Sequence, residues 1–225
     1  MRRLVGASCI HSKDMATGAP GMGRGKPVTS RDQPVGSSTD PIATGVFAFE
    51  GDWESDLRDP WSIEPMLRTL QAIGELKCIR RNVATVPELE HYLDKWLQKR
   101  YASYQVSYFG FHGGPGSLWL GGKRYVSLED LEAWIDGRAR GRIIHFGSCS
   151  VMRVGESRLK AFQENTGARA VIGYRTDVDS DLNWAAFEIL LLEALSRYRQ
   201  IGAPARHLRE NYGYLCDKLG FEYIY

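Results

Sequence analysis

The sequence predicts one α/β domain, in which a mostly parallel sheet is covered by helices on both faces. From about residue 45 to the end of the chain, short apolar segments alternate with longer segments of helical periodicity. This alternation is typical of βαβ units, whose crossovers place helices on the two faces of a parallel sheet. The chain has 225 residues, of which 43% are hydrophobic, and this is enough for one well-buried core.

The composition argues against several classes of partner. A formal net charge of +2 gives no overall reason to expect a nucleic acid or an anionic membrane. No apolar run approaches the length needed to span a bilayer. The four cysteines have no paired spacing, so neither a zinc site nor a disulfide framework is predicted. We therefore expect a cytoplasmic protein.

Residues 1–44 are predicted to be a disordered leader or linker. This segment is rich in Gly, Ser, Thr, Pro and Asp and has no strand or helix periodicity. We expect the folded domain to occupy residues 45–225.

Two strands and a helix are predicted at the start of this domain. Val46–Phe49 is a short apolar strand, and a polar loop follows from Glu50. Cys78–Val83 is a less apolar strand, which is typical of a sheet edge. Between them, Ser62 is a candidate N-cap for a helix that stops near Gly74. Its apolar positions recur at helical spacing at Ile63, Met66, Leu67, Leu70 and Ile73.

The clearest helix begins after Thr85. Thr85 and Glu88 have the spacing of a capping box, and Pro87 lies where the first turn tolerates it. The rest of the chain continues the alternation. We expect a hairpin around Gly121-Gly122, a helix at 127–136, a helix near 157–165, a strand at 168–174, a long helix at 181–199, a helix from Pro204 and an edge strand at 221–225.

Two further strands end in residues that can carry chemistry. Val106–Gly114 is an apolar run that ends in His112 and glycines, and Arg142–Ser150 is another that ends in Gly-Ser-Cys-Ser. In open α/β sheets the carboxyl ends of the strands form the ligand-binding edge. A thiol at Cys149 and an imidazole at His112 are therefore a candidate nucleophile and base.

Each of these residues also has a purely structural interpretation. Cys149 lies among small residues and before a turn into a helix, where a thiolate is favoured, but small buried cysteines are common in cores. His112 precedes a glycine-rich turn that suits close approach to a ligand, but it could also be a histidine buried in the core. Taken together they favour catalysis. We then predict an oxyanion hole formed by the backbone N–H groups of Gly113 and Cys149.

The order strand-His-Gly, hairpin, helix, strand-Gly-Ser-Cys-Ser resembles the caspase-like cysteine peptidases of clan CD. These include separases, metacaspases, gingipains and bacterial CHAT-type proteases. The segment Phe146–Ser150 lacks the Gln-Ala-Cys-x-Gly signature of true caspases and is nearer the bacterial CHAT and separase-like branches. The resemblance implies a three-layer caspase-like sandwich, with His112 as general base and Cys149 as nucleophile.

The same resemblance implies a protein or peptide substrate, a regulatory partner protein in some members, and neither cofactor nor metal. Short bacterial proteins of this kind often act as effector proteases in defence or conflict. Specificity in such folds comes from loops after the first and fifth main strands. Here Asp52, Asp177 and Asp179 predict a pocket for Arg or Lys, whereas Arg175 would favour an acidic residue. Asp179 or Asp181 could instead cap the long helix.

Other interpretations remain open from the sequence. One is a catalytically inactive caspase-like interaction module, and another is a flavodoxin-like domain that binds a small molecule at the same sheet edge. No phosphate-binding glycine motif supports the second. His145 lies four residues before Cys149, but no third metal ligand is evident, so we expect a core histidine. Trp53, Trp61 and Trp119 flank the proposed cleft or belong to the core.

Overall fold

The computed structural model describes residues 45–56, 58–120, 124–178 and 182–225. The predicted leader at 1–44, the Gly121-Gly122 turn, Asp179 and Asp181 lie outside the described residues.

Strands and helices alternate through these ranges as predicted. They are β1 (Gly45–Glu50), α1 (Glu64–Ala72), β2 (Lys77–Asn82), α2 (Val86–Leu97), β3 (Val106–Gly110), β4 (His112–Gly114), β5 (Ser117–Trp119), β6 (Tyr125–Ser127), α3 (Leu128–Ile135), β7 (Ile143–Phe146), α4 (Glu156–Thr166), β8 (Ala170–Tyr174), α5 (Leu182–Arg197), α6 (Ala203–Leu219) and β9 (Phe221–Ile224).

In the described part of the chain, the main sheet has six strands in the order β2-β1-β3-β7-β8-β9. The first five are parallel, and β9 pairs antiparallel with β8 at the edge. The predicted fold class and the predicted edge positions of β2 and β9 are confirmed. Because β3 pairs directly with β7, the residues that follow these two strands meet at one edge of the sheet.

Helices cover both faces of this sheet and make two apolar cores. On one face, α1, α5 and α6 contribute buried side chains such as Leu67, Leu191 and Leu208. On the other face, α2, α3 and α4 contribute side chains such as Leu93 and Phe162. Alternate residues of each strand point into the two cores, since successive side chains of a strand face opposite sides. The result is the three-layer arrangement that the sequence predicts.

Local signals explain where several helices begin and end. Thr85 and Glu88 form the predicted capping box of α2, and Ser127 forms an equivalent one with Asp130 at α3. The first helix begins later than expected. Ile63 occupies its N-cap, although the Ser62 hydroxyl accepts a hydrogen bond from the Glu64 N–H at 3.0 Å.

Ile73, the last apolar position of the predicted helix, does not lie in the core. Ile73 is 64% exposed because it occupies the C-cap of α1, where the chain turns away from the core at Gly74 with φ of +82°.

A small antiparallel sheet follows β3 and was only partly predicted. Its described strands are β4, β5 and β6, in that order. The β5–β6 hairpin matches the prediction, but the strand β4 does not, since His112 was expected to end β3. Instead the chain bends at Phe111, and His112 pairs with Trp119 in the new sheet.

Candidate active site

The ends of β3 and β7 are joined by a side chain. Their ladder runs as far as Phe109 opposite Phe146. Beyond it, the buried Ser148 hydroxyl donates to the carbonyl of Phe109 at 3.0 Å and accepts from the N–H of Phe111 at 3.2 Å. Ser148 thus fixes the position of the segment that leads into His112 relative to the segment that leads into Cys149.

The two candidate catalytic segments are in direct contact. A Cβ atom added to Gly113 would lie 2.4 Å from the carbonyl oxygen of Cys149 and 2.8 Å from Cγ2 of Val151. Only a residue without a side chain allows β4 to approach the Cys149 turn this closely. The structure therefore brings His112, through its neighbour Gly113, to the turn that carries Cys149.

The turn at Cys149 is held by the segment that follows β8. Ser150 adopts a left-handed conformation with φ of +43°, which is uncommon for a residue with a side chain. Its N–H donates to Thr176 O at 2.9 Å, and its hydroxyl donates to Asp177 Oδ1 at 2.6 Å. The half-buried Cys149 Sγ donates to the carbonyl of Val178 at 3.3 Å.

The expected effect of a helix N-terminus on Cys149 is corrected by the structure. Helix α4 begins at Glu156, well beyond the turn. A helix dipole acts mainly within the first turn, so it does not reach the thiol directly.

His112 is exposed, so the alternative of a histidine buried in the core does not apply. Its Nε2 donates to the carbonyl of Trp53 at 2.5 Å. A carbonyl oxygen only accepts, so this contact requires a proton on Nε2 and leaves Nδ1 of the neutral ring as an acceptor. The indole of Trp53 packs edge-on against the imidazole at 5.4 Å between ring centroids.

Glu50 was not predicted as a site residue, because the sequence indicated the start of a polar loop at this position. Glu50 is the last residue of β1 and is 2% exposed. Its carboxylate accepts from the indole N–H of Trp53 at 2.8 Å and from the N–H of Ile63 at 2.7 Å. It also accepts from the Ser62 hydroxyl at 3.0 Å and pairs with Arg80. One feature of the sequence does indicate burial of Glu50. It is two residues from the apolar Ala48, so in a strand both side chains lie on the same face of β1.

The predicted specificity residues do not share one pocket. Asp52 is exposed and lines a cavity of about 270 Å³ beyond the ends of β1 and β2, together with Glu54, Asp56 and Asp59. Neither Asp177 nor Arg175 lines this cavity.

Asp177 lies instead beside the Cys149 turn, with its side chain 69% exposed. The guanidinium of Arg175 pairs with Glu222 and donates to the Val154 carbonyl at 3.0 Å, so these donors are used within the fold.

A second buried polar cluster lies beneath the site. His145 and Glu188 are both fully buried, and His145 Nε2 lies 2.8 Å from the carboxylate. The hydroxyl of Tyr174 donates to the same carboxylate at 2.5 Å. Burial, and then the negative charge of Glu188, raise the pKa of the Tyr174 and Tyr108 hydroxyls well above the usual value. The expectation that His145 belongs to the core is confirmed; Glu188 was missed.

The other described cysteines are unsuited to nucleophilic attack. Burial raises the pKa of the Cys78 thiol to about 12, and burial also raises the pKa of Cys216. Thiolates are the reactive form, so both groups are unreactive near neutral pH. Among the described residues, no three His, Cys, Asp or Glu side chains are grouped as metal ligands would be. No helix in the described ranges is long and apolar enough to cross a membrane.

Comparison with solved structures shows a caspase-like fold. A secreted C11 cysteine protease from Bacteroides thetaiotaomicron, solved with an irreversible peptide inhibitor, matches with a TM-score of 0.50 and 13% identity. The match covers 78% of this chain and 59% of that protease, so this chain corresponds to little more than half of it.

Caspase-1 from Spodoptera frugiperda also matches, with a TM-score of 0.45, 14% identity and 69% coverage of each chain. The structure described as pro-sf-caspase-1 gives a TM-score of 0.44 with 11% identity and covers 76% of each chain. Identities this low show the fold alone.

No curated protein matches the sequence. The profile of one family, described as "Family of unknown function (DUF6642)", matches residues 43–225. That match spans most of the chain, including every described strand and helix. The chain therefore belongs to the DUF6642 family, and its fold is that of the caspase-like cysteine proteases.

Proposed function

We propose that this protein is a cysteine endopeptidase in which Cys149 is the nucleophile and His112 is the general base. The observation that carries the proposal is the close approach of β4 to the Cys149 turn at Gly113, with the Nε2 of His112 already bonded to Trp53. Nucleophile and base then lie on contacting segments at one sheet edge, and the base has a third group that orients it, as covalent catalysis requires.

The chemistry follows from the nitrogen that His112 leaves open. Nδ1 takes the proton from Cys149 Sγ, and the thiolate attacks the substrate carbonyl carbon to form a tetrahedral oxyanion. Collapse of this intermediate breaks the C–N bond, and the imidazolium gives its proton to the departing amine. Water, deprotonated by Nδ1, then attacks the thioester, releases the acid and restores the thiol.

The oxyanion needs donors that are fixed before it forms. We propose the backbone N–H groups of Gly113 and Cys149, which belong to the two segments that are in contact at Gly113. The left-handed conformation of Ser150 and its bonds to Thr176 and Asp177 support this role, because they hold the Cys149 backbone in one orientation.

The charges around the site favour a substrate with Arg or Lys before the scissile bond. Asp52 and Asp177 are exposed and lie in the segments that follow β1 and β8. Arg175, which would favour an acidic residue, is paired with Glu222. We therefore propose that these exposed carboxylates attract a cationic side chain of the substrate, with Arg153, 3.9 Å from Asp177, competing for that carboxylate.

The bond from Cys149 Sγ to the Val178 carbonyl favours a resting form of the enzyme. A protonated thiol donates to this carbonyl, whereas a thiolate cannot. Attack therefore requires that this bond break, and we propose that substrate or a regulatory partner protein displaces the Val178 carbonyl to break it, while the Ser150 bonds to Thr176 and Asp177 remain.

Covalent trapping tests the proposal directly. The full chain is incubated separately with an Arg-directed and an Asp-directed acyloxymethyl ketone, and adducts are located by mass spectrometry. We expect an adduct on Cys149 with the Arg-directed probe. Cys149→Ala should abolish it, and His112→Ala should slow its formation by a factor of about 10². Cys78→Ala is the matched control and should leave it unchanged.

Other outcomes separate the alternatives. An adduct with the Asp-directed probe alone would overturn the proposed preference for Arg or Lys but would support the proposed peptidase activity. Absence of any adduct in a folded protein would be the result expected both of the inactive interaction module and of the resting form without its regulatory partner.

A further inference from the structure

We infer that Glu50 is the positioning residue for His112, acting through Trp53. The inference rests on the proposed function, because it assigns a role in preparing the base for catalysis. Glu50 touches neither the thiol nor the imidazole. What it fixes is the carbonyl to which the imidazole donates.

The first step is the anchoring of Glu50 itself. Its backbone is in the middle of the sheet, opposite Asn82 of β2 and Gly110 of β3. The N–H of Val83 donates to its carbonyl at 2.8 Å, and the next N–H, of Gly51, donates to Gly110 at 2.9 Å. The carboxylate therefore projects from a hydrogen-bonded part of the sheet. Its residue lies opposite Gly110, which precedes His112 by two residues.

The second step is the hold that this carboxylate has on the loop 51–63. One oxygen accepts from both the Trp53 indole and the Ile63 backbone, at 2.8 and 2.7 Å. The other accepts from the Ser62 hydroxyl and from Arg80. One buried side chain thus ties together the beginning and the end of the loop. A buried carboxylate with this many charge-assisted hydrogen bonds is held firmly in place.

The third step connects the loop to the base. Trp53 is fixed at its indole by Glu50 and against the ring of Trp61 at 4.4 Å between centroids. Trp61 in turn packs against Trp184 of α5 at 5.6 Å. With its side chain held, the carbonyl of Trp53 has a fixed direction, and Nε2 of His112 donates to it. The bonded nitrogen determines which ring nitrogen faces the thiol.

Two variants separate this role from general support of the fold. Trp53→Phe keeps the ring packing and the backbone carbonyl but removes the donor to Glu50. Glu50→Gln keeps the size of the side chain but replaces one of the two accepting oxygens with an NH2 donor, while Arg80 retains Glu64 at 3.3 Å as a partner. Asp56→Asn is the matched control, since Asp56 lies in the same loop and pairs only with the exposed Arg58 among the described contacts.

The first readout is the exchange of the His112 Nε2 proton with solvent, measured by NMR on full-length protein labelled with ¹⁵N-histidine. Trp53→Phe should accelerate this exchange by about tenfold, which corresponds to the loss of a typical hydrogen bond. Glu50→Gln should also accelerate it, because one end of the amide is an NH2 group that cannot accept, whereas Asp56→Asn should stay within about twofold of wild type. The second readout is the inactivation rate constant kinact with the acyloxymethyl ketone that labels Cys149. It should fall about tenfold in Trp53→Phe with an unchanged inhibitor constant.

Each outcome is informative. Unchanged proton exchange in Trp53→Phe would overturn the inference, whatever happens to the inactivation rate. Equal losses in Trp53→Phe and Asp56→Asn would also overturn it, because the effect would then belong to the loop as a whole. If proton exchange is faster in Trp53→Phe but no protein forms an adduct, the inference that Glu50 positions His112 through Trp53 stands and the proposed peptidase activity is not supported.

Discussion

Substitution of Gly113 by alanine is the most direct perturbation of the candidate site. The new Cβ would lie 2.4 Å from the Cys149 carbonyl oxygen, 2.8 Å from Val151 Cγ2 and 3.1 Å from Ser148 Cβ. A close carbon–oxygen contact is normally about 3.3 Å, so β4 and the Cys149 turn must separate by about 0.9 Å. The nearest atom is backbone, and it cannot move aside by rotating a side chain.

This separation has two expected consequences. A displacement of about 1 Å at reacting groups lowers catalytic rates by about 10², so the rate of Cys149 labelling by the acyloxymethyl ketone should fall by about this factor. Overpacking of a tight site should lower the free energy of unfolding by about 1–3 kcal/mol, measured by urea denaturation. The domain should remain folded at low denaturant.

Gly114→Ala is the matched control for this experiment. The atoms nearest to its Cβ would be the side-chain atoms Trp119 Cζ2 at 3.3 Å, Trp119 Nε1 at 3.4 Å and the Ser117 hydroxyl oxygen at 3.6 Å. It should therefore label within about threefold of wild type, since the partly exposed Trp119 can shift by a few tenths of an ångström. Equal labelling rates in Gly113→Ala and wild type would show that the close approach of β4 is not needed to align the two residues.

Two further predictions concern buried groups. His145→Ala leaves the Glu188 carboxylate buried without its imidazole partner and should lower the free energy of unfolding by about 3–5 kcal/mol. The exposed His91→Ala is the control and should change it by less than about 1 kcal/mol. A change that small in His145→Ala would contradict the importance of the pair. The pKa of Cys78 is about 12 in the folded protein against an ordinary value of 9.0, so the unfolded chain releases this proton first. Below pH 9 the thiol is protonated in both states, so Cys78 does not change the free energy of unfolding with pH. As the pH rises from 9 toward 12 the thiol ionises in the unfolded chain only, and the free energy of unfolding should decline. Urea denaturation across that range would check this, and Cys78→Ala should show a smaller decline.

Strand ends and helix caps were predictable because their signals are local. The apolar runs that precede His112 and Cys149 identify two buried strands, and parallel pairing then places their ends at one edge. The capping boxes at Thr85 and Ser127 are similarly complete within four residues. Such features depend on periodicity and short-range hydrogen bonding, which a single sequence contains.

The missed features depend on partners far along the chain. Glu50 follows an apolar strand and suggests the start of a loop, but its partner Arg80 is thirty residues away. Glu188 is a single carboxylate on an apolar helix, and its role becomes clear only when His145 is placed opposite it. Strand β4 is three residues long and contains two glycines, so its pairing with β5 overrides its weak β propensity.

The sheet also explains why a flavodoxin-like fold was a reasonable alternative from sequence. The first five strands, β2-β1-β3-β7-β8, have the strand order of a flavodoxin-like sheet. The antiparallel β9 and the small sheet after β3 are what distinguish the present fold. Of these elements, the edge strand β9 and the β5–β6 hairpin were predicted from the sequence, whereas β4 was not.

The hydroxyl of Ser148 acts as a substitute for a peptide group. In a parallel ladder, one residue of a strand donates its N–H to a carbonyl and accepts from the N–H two residues later on the neighbouring strand. Ser148 makes this same pair of bonds to Phe109 and Phe111 with a single oxygen. The main chain of β7 is therefore free to leave the plane of the sheet one step early, while the Phe109 carbonyl and the Phe111 N–H both keep a hydrogen-bond partner. A side chain that only donates, only accepts or does neither would force the backbone to complete the ladder itself and would carry Cys149 away from its present turn.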